Sequence, residues 1–354
     1  GKDLFGLANA IWGRLKGGLG IATVFANAIF AAITGISIAS ASVFTKVAVP
    51  EMLKYGYTGS FATGVVAGSS VLGMLIPPSL LMILYAFLAQ QSVGTMFLAG
   101  ILPGLILGLV YSIGIMCMAR FWPGFVMRAT HVRDVPSGNL GGLAIRTVPI
   151  IFLIVFVLGG IYGGIFNATD AGAAGAIGAL AIGVLRRRLS WKSGWKIASE
   201  AGTITVIVLF LIIAANLYSR MLTLAGVPQF LIEWVNHVGF GVTGFMVMYV
   251  ILIILLGCII DSASIMLLVL PLTLPVVSDF GVDLVWFGVI TVIAVEIGLL
   301  TPPLGLSVLT IHSTLENGDI TVGDIFRGSL PFVLLMIITL VLLIIFPQLS
   351  LALT

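Results

Sequence analysis

The longest stretch without a charged side chain decides which solvent this chain folds in. Between Lys54 and Arg120 there is no Asp, Glu, Lys or Arg, and most of the residues are apolar. A helix needs about 20 apolar residues to cross a bilayer, so this stretch holds two crossings and more. Of the 354 residues, 60% are hydrophobic and only 8% are charged. The chain is therefore expected to be an all-α polytopic membrane protein.

Motifs of other protein classes are missing from the sequence. There is no Cys/His spacing typical of a metal site, no Walker loop and no nucleophile elbow. Cys117 and Cys258 lie in apolar runs and are interpreted as small buried hydrophobic residues. We expect a lipid bilayer around the chain, no nucleic-acid partner and no enzymatic activity. The first residue is Gly and no signal peptide is visible, which favours a segment of a longer protein.

The basic residues predict how the helices are oriented. They concentrate in 2–16, 120–146 and 186–196, which the positive-inside rule places in the cytoplasm. Crossings that alternate between these anchors leave every Lys and Arg in the cytoplasm except Lys46 and Arg220. The predicted crossings are residues 59–90, 95–119, 147–165, 171–185, 201–217, 284–313 and 329–351.

Two further apolar segments, residues 18–49 and 243–277, do not fit the alternation. Lys16 and Lys54 flank the first segment and both belong on the cytoplasmic side, while both flanks of the second belong outside. Their centres read "AITGISIAS" and "GCIIDSASIM", with small and polar residues where a crossing would be most apolar. Each segment is therefore predicted to be a re-entrant hairpin, and the alternative is two ordinary kinked crossings.

The two halves of the chain repeat each other at a shift of 225 residues. The matches fall mainly on Gly, Pro and Ser, which fix backbone shape, so we infer an internal duplication. The matching pairs are Ser37 with Ser262, Pro50 with Pro275, Gly56 with Gly281, Gly73 with Gly298, Leu75 with Leu300, and Pro77–Pro78 with Pro302–Pro303.

The two Pro-Pro pairs interrupt runs that would otherwise be continuous helices. Proline lacks an amide hydrogen and its ring clashes with the preceding turn, so each helix breaks there. The predicted topology makes the repeats inverted, and inverted repeats with discontinuous helices mark secondary transporters. Freed carbonyls can bind a cation and half-helix N-termini favour an anion. Two breaks that face two hairpin tips make one pseudo-symmetric site.

Several motifs together resemble one known family. The stretches "LKGGLGIATVFANAIFAAITGISIAS", "GSSVLGMLIPPS", "GCIIDSASIMLLVLPLTLPVV" and "FGVITVIAVEIGLLTPPLGL" are similar to the large membrane subunit of tripartite ATP-independent periplasmic (TRAP) transporters. The resemblance implies an elevator-type transporter of the bacterial inner membrane that uses Na⁺ to take up organic anions such as sialic acid or dicarboxylates. It also implies a small membrane subunit (Q-type) and a periplasmic substrate-binding protein (P-type) as partners.

The sodium that this resemblance implies is assigned to the tips and breaks. Sodium site 1 is predicted to consist of Gly35, Ser37, Gly73, Ile76 and Pro78. Sodium site 2 is predicted to consist of Asp261, Ser262, Gly298, Thr301 and Pro303. The anion is predicted to contact Ser40, Ser79 and Ser264.

Four charged residues in apolar surroundings are treated individually. A carboxylate within the membrane is costly, so Asp261 is predicted to bind sodium or organise its tip. Glu296 either braces backbone donors or contacts sodium, and Asp170 is interpreted as part of a turn. Lys46 snorkels, pairs with Glu51 or attracts the anion.

The predicted organisation follows from the repeats. The segments are an interfacial arm helix, repeat 1, a connecting loop with scaffold helices, a second arm helix and repeat 2, over residues 1–18, 19–119, 120–227, 228–242 and 243–354. A stand-alone divalent-anion/sodium symporter is the alternative, although its Ser-Asn-Thr signatures are missing from both tips. A channel or a non-transporting membrane scaffold is a further alternative. Neither requires two broken helices with opposed hairpins, so these features favour a transporter.

Overall fold

The chain is almost entirely helical. The computed structural model describes residues 5, 6, 8, 11, 12, 17–127, 140–186, 189–239, 241–315 and 319–354. Among these residues the β-type pairing is limited to an isolated antiparallel bridge between Tyr57 and Met127. The expectation of an all-α protein is confirmed.

Within residues 17–127, short turns connect the helices. Two of these turns carry the sequence features of interest: residues 35–36, called tip 1, and residues 76–79, called break 1. The helices are α1 (Gly18–Thr34), α2 (Ser37–Lys54), α3 (Gly59–Ser70), α4 (Leu72–Leu75), α5 (Leu80–Leu88), α6 (Val93–Phe121), α7 (Pro123–Val126), α8 (Leu140–Tyr162) and α9 (Ala168–Leu185).

The second half follows the same plan after two further helices. Residues 258–261 form tip 2 and residues 300–305 form break 2. The helices are α10 (Trp191–Leu224), α11 (Val227–Val238), α12 (Gly241–Gly257), α13 (Ser262–Asp279), α14 (Leu284–Leu299), α15 (Leu306–Thr314), α16 (Val322–Ile345) and α17 (Gln348–Leu351).

Several helices meet the requirements for crossing a bilayer. By length and composition these are α6, α10, α13 and α16, together with the pair formed by Gly59–Leu75 and Leu80–Leu88, which is bent by 43° at break 1. The bend confirms that the helix is interrupted around Pro77–Pro78, and its path across the bilayer stays a prediction. Helix α13 passes the same test, although its segment is predicted to be one arm of a hairpin. The re-entrant path of the two hairpins stays a prediction.

The helix lengths reproduce the repeat. Helices α1 and α12 have 17 residues each, and α2 and α13 have 18 residues each. Helices α2 and α13 begin at Ser37 and Ser262, which the 225-residue shift relates. Tip 2 has two more residues than tip 1, so the first hairpin arms are related by a shift of 223 instead. Gly56 and Gly281 both have a positive φ, at 83° and 66°.

The chain forms two compact units. Unit 1 comprises 1–147, 246–265 and 285–354, and unit 2 comprises 148–245 and 266–284. In unit 1, α3 and α16 approach so closely that a Cβ on Gly64 would overlap the backbone of Gly328. In unit 2, the apolar side chains of α10 are largely exposed, as expected of a helix that faces lipid.

The predicted arm helices are described unequally. Most of residues 1–18 lies outside the described residues; of the remainder, Phe5 and Ala8 are helical and buried, and Trp12 stacks on Phe25 with ring centroids 4.4 Å apart. The second arm region contains α11, where Val235 is buried and Phe230 is exposed. Because buried and exposed apolar side chains both occur on α11, the interfacial position of the two arms stays a prediction.

Candidate functional site

Tip 1 is seated directly on break 1. Gly35 ends α1 in the left-handed conformation, with φ 63°, which favours a residue without a Cβ. Its carbonyl oxygen accepts a hydrogen bond from the Leu80 N–H at 3.2 Å. A Cβ on Gly35 would lie 3.1 Å from the Pro78 carbonyl oxygen, so the two backbones are nearly in contact.

The chain around break 1 changes from helix to extended backbone and back. Helix α4 ends at Leu75, Ile76 is extended, and the Pro77–Pro78 peptide is cis. Ser79 then caps α5, because its Oγ accepts a hydrogen bond from the Met82 N–H at 3.3 Å. The break therefore presents a helix C-terminus and a helix N-terminus beside tip 1.

Tip 2 meets break 2 in the same way. The Cys258 carbonyl oxygen accepts hydrogen bonds from the Leu304 and Gly305 N–H groups, each at 3.2 Å. Helices α12 and α14 touch through glycines, since a Cβ on Gly298 would lie 2.6 Å from the Gly257 Cα. The Pro302–Pro303 peptide is also cis.

Each hairpin is also bound to its own broken helix by a buried side-chain contact. In repeat 1, Asn27 Nδ2 on α1 donates to Ser69 Oγ on α3 at 2.8 Å. In repeat 2, Tyr249 on α12 and Thr291 on α14 share a hydrogen bond of 2.9 Å between their hydroxyls. The two hairpin-and-break pairs, called pair 1 and pair 2, are therefore built alike.

The residues assigned to sodium site 1 all lie where tip 1 meets break 1. Gly35, Ser37 and Gly73 are buried, while Ile76 and Pro78 are half-buried. A Cβ on Gly73 would overlap Ala31, one turn before the tip, which explains why α4 carries a glycine at this position. These positions fit a shared site, and sodium binding itself stays a prediction.

The residues assigned to sodium site 2 lie around tip 2 and break 2, with more exposure. Asp261 and Pro303 are exposed, Thr301 is half-buried, and Ser262 and Gly298 are buried. The Asp261 carboxylate accepts a hydrogen bond from the Ser264 N–H at 3.1 Å and so caps α13. Thr301 Oγ1 donates to the Ile297 carbonyl oxygen at 2.7 Å.

The three serines assigned to the anion differ in their present contacts. Ser40 is buried and donates to the Ser37 carbonyl oxygen at 2.9 Å. Ser79 is buried at break 1, and Ser264 is half-buried in the first turn of α13. Their role in anion binding stays a prediction.

Glu296 is the residue whose role the sequence left open. Its Oε1 accepts a hydrogen bond from Ser37 Oγ at 3.2 Å, and both residues are fully buried. Tyr111 is also fully buried. Among the described residues, neither Glu296 Oε2 nor the Tyr111 hydroxyl has a hydrogen-bond partner. An acid in an apolar run was the available signal.

The structure also distinguishes among the interpretations of Lys46. Glu51 forms its ion pair with Lys54, at 2.6 Å, instead of with Lys46. The hydrogen bond to Glu51 and its charge raise the pKa of Lys54. Lys46 is exposed and lines a cavity of about 190 Å³. The other lining residues are Thr45, Val49, Pro50, Leu53, Thr314, Leu315 and Ile320.

Two further observations concern Asp170, which the sequence interpretation placed in a turn and which is helical here, and the arrangement of possible metal ligands. The Asp170 N–H donates to Asn167 Oδ1 at 2.8 Å, so Asp170 lies in an exposed first helical turn. Within the described ranges, no three His, Cys, Asp or Glu side chains cluster as they do around a transition metal.

Discontinuous helices with hairpins packed on their breaks are typical of membrane transporters. Comparison with known families identifies which one: residues 1–349 match the family "Tripartite ATP-independent periplasmic transporter, DctM component". The chain belongs to this family and is therefore a transporter component of the bacterial inner membrane, not an enzyme.

Named relatives match almost the whole chain. The C4-dicarboxylate TRAP transporter large permease protein DctM of Pseudomonas aeruginosa is 32% identical over 353 residues, which cover 99% of this chain and 81% of that protein. The ectoine/5-hydroxyectoine large permease protein UehC of Ruegeria pomeroyi is 33% identical, with 98% and 80% covered. The sialic acid permease protein SiaT of Haemophilus influenzae is 29% identical, with 98% and 55% covered.

Proposed function

We propose that this chain couples the entry of Na⁺ to the uptake of an organic anion. The observation that carries the proposal is the matched construction of pair 1 and pair 2, where a tip carbonyl oxygen accepts from backbone amides that closely follow each Pro-Pro pair. Unwound backbone and half-helix ends of this kind coordinate cations in secondary transporters. No transport step needs a bound nucleotide in this scheme.

Both kinds of ligand find a complementary helix end at each break. The C-termini of α4 and α14 point carbonyl groups at the break and favour a cation. The N-termini of α5 and α15 point amide groups there and favour a carboxylate. An anion and a cation bound at the same break would neutralise each other's charge. This arrangement supports coupled transport of the two ions.

The substrate class is proposed from chemistry that most of the relatives have in common. Relatives are named for C4-dicarboxylates, ectoine and sialic acid, which carry a carboxylate, and one is named for isethionate, which carries a sulfonate. We assign a carboxylate to this chain, with Ser40, Ser79 and Ser264 as the hydroxyls that contact the anion. The word "tripartite" in the family description supports two further components. These are a periplasmic substrate-binding protein that delivers the anion and a small membrane subunit.

The proposed movement is of the elevator type. The hairpins and broken helices would carry the sites across the membrane as one body, while the remaining crossings and the small subunit stay fixed. The close glycine contacts between α12 and α14 and between α1 and α4 support joint movement within each repeat. A body packed in this way transmits displacement instead of absorbing it.

Reconstitution in liposomes tests the coupling. The chain is purified with its small subunit, the binding protein and labelled substrate are added outside, and uptake is compared under a sodium gradient and under a potassium gradient. Uptake that requires sodium supports the proposal, and equal uptake under both gradients refutes it. Uptake that is independent of the binding protein would favour the stand-alone symporter.

A further inference from the structure

The first helix after each tip begins differently in the two repeats. Helix α13 is capped by Asp261, whose carboxylate accepts from the Ser264 N–H at 3.1 Å. Helix α2 begins after Ile36, the residue that the 225-residue shift places at Asp261, and Ile36 makes no side-chain cap. A helix N-terminus carries unsatisfied amides and a partial positive charge, which a nearby carboxylate stabilises.

A carboxylate from the other repeat lies at the start of α2. Ser37 is the first residue of α2, and its Oγ donates to Glu296 Oε1 at 3.2 Å. Glu296 belongs to α14, two residues before the close contact of Gly298 with Gly257. The position equivalent to Glu296 in repeat 1 is Val71, which has no polar group. Asp261 and Glu296 therefore occupy different positions of the repeat, and each accepts a hydrogen bond from the first turn of one hairpin helix.

We propose that Glu296 is a positioning residue for tip 1, which supplies in trans the carboxylate that Asp261 supplies within its own repeat. The hydrogen bond holds the Ser37 side chain, which is assigned to sodium site 1. The contact links tip 1 to the helix that leads into break 2, so the geometry of the first site depends on the second repeat. The inference rests on the proposed function only where sodium affinity is the readout.

The burial of this contact argues that it is a structural necessity for the tip. Glu296 and Ser37 are both fully buried. A buried acid in a membrane segment is costly, so it is usually retained for a function. Because Oε2 has no hydrogen-bond partner among the described residues, the contact with Ser37 is the one hydrogen bond described for this carboxyl group. Removal of the acid leaves the Ser37 hydroxyl without its acceptor in a site that water does not reach.

The test moves the carboxylate to the place that the repeat predicts. Glu296→Val installs the residue found at the equivalent position, Val71, and removes the acceptor. The double variant Ile36→Asp/Glu296→Val returns a carboxylate to the start of α2 at the position of Asp261. Thr339→Val is the matched control, since it removes a buried hydroxyl whose acceptor, the Leu335 carbonyl oxygen, lies on its own helix α16, away from both tips.

Sodium-dependent uptake is measured for each variant in liposomes, with the small subunit and the binding protein present. Because it leaves the buried Ser37 hydroxyl without an acceptor, Glu296→Val should raise the sodium concentration for half-maximal uptake roughly fivefold to hundredfold. The double variant should recover most of this loss while the maximal rate changes less, and Thr339→Val should overlay the unmodified protein. An unchanged Glu296→Val, or a double variant without recovery, overturns the inference.

Hydrogen exchange separates this inference from the proposed function. The amides of residues 37–40 are followed in the purified complex without substrate; faster exchange is expected in Glu296→Val and slower exchange again in the double variant. Glu296→Gln, which keeps an acceptor oxygen, should lie between them and serves if Glu296→Val does not assemble. If the exchange rates of the three variants equal those of the unmodified protein, the positioning role is refuted. Sodium-independent uptake by the unmodified protein refutes the proposed function alone.

Discussion

Pair 1 and pair 2 share a backbone design but differ in what surrounds it. Ser37 and Ser79 of pair 1 are fully buried, whereas Asp261, Pro303 and Leu304 of pair 2 are exposed. The tip-to-break hydrogen bonds have the same length of 3.2 Å in both pairs. The geometry of a site is therefore set within each pair, and access to it is set by the packing outside the pair.

The ends of the two hairpins differ in charge in a way that fits opposite orientations. Helix α2 ends at Lys54 and helix α13 ends at Asp279, and the 225-residue shift makes these two positions equivalent. Basic residues remain in the cytoplasm by the positive-inside rule, and an acidic residue is free of that constraint. The same fold element thus carries a basic end in one repeat and an acidic end in the other.

The largest effect is expected from labelling these two ends. In a background without Cys117 and Cys258, Lys54→Cys should react with an impermeant maleimide only from the cytoplasmic side. Asp279→Cys should react only from the periplasmic side, because inverted repeats place equivalent positions on opposite faces. Labelling is measured on inside-out vesicles and on spheroplasts. Reaction of both positions from one side would remove the inverted relation on which the comparison rests.

The repeat could be predicted from sequence because it is written in residues that constrain the backbone. Gly56 and Gly281 match in sequence and both adopt positive φ, and the two Pro-Pro pairs both interrupt a helix. Tip 2 could not be placed to the residue, because α12 ends at Gly257 and two additional residues follow. The 225-residue shift was established from Ser37 onward, so it does not predict where the hairpin arm before tip 2 ends.

The contact between Ser37 and Glu296 was beyond the reach of sequence reasoning. The two residues are 259 positions apart and belong to different repeats. Hydrophobic periodicity identifies which residues are buried but not which distant helix covers them. The unequal exposure of the two pairs was hidden for the same reason.

The glycines at the breaks should show the next largest effect. Gly298→Ala places a Cβ 2.6 Å from the Gly257 Cα, and no smaller residue can relieve that contact. Overpacking of this kind costs typically about 1–3 kcal/mol or more, so assembled protein should be mostly lost. Gly73→Ala places a Cβ 2.2 Å from the Ala31 Cβ and also 2.6 Å from the Ala31 carbonyl carbon, so assembled protein should again be mostly lost, and Ala31→Gly relieves only the side-chain contact.

Size-exclusion chromatography of the tagged complex measures these outcomes. Gly108→Ala is the control, since a Cβ there meets nothing within 4 Å. If Gly298→Ala assembles as well as Gly108→Ala, the close approach of α12 and α14 is not needed for pair 2. If Gly73→Ala assembles as well as Gly108→Ala, the close approach of α1 and α4 is not needed for pair 1.

Asp261 and Asp170 provide a comparison between a tip and an ordinary helix start. Both are exposed acids in a first helical turn or its cap. Asn can still cap a helix, so Asp261→Asn removes mainly the charge. Loss of a charged partner costs about 2–5 kcal/mol when buried, or roughly one and a half to four powers of ten in affinity. Exposure of Asp261 screens its charge, so we expect the lower end of this range.

The measurement is the sodium concentration for half-maximal uptake in liposomes. Asp261→Asn should raise it strongly with normal assembly, and Asp170→Asn should leave it unchanged. A sodium dependence of Asp261→Asn that overlays the unmodified protein would remove Asp261 from sodium site 2 and leave it a capping residue alone.

The smallest effect is expected from thiol accessibility at the two breaks. Ser79 and Leu304 are equivalent under the 225-residue shift, yet Ser79 is fully buried and Leu304 is 42% exposed. A thiol that reacts only after a local opening of about 1.4 kcal/mol reacts tenfold more slowly than a permanently exposed one. In the cysteine-free background, Leu304→Cys should therefore react with a small maleimide about tenfold faster than Ser79→Cys. Labelling after denaturation supplies the total thiol in each sample, so that differences in protein amount cancel. Equal reaction rates would mean that solvent reaches break 1 as readily as break 2. The two pairs would then differ in sequence but not in accessibility.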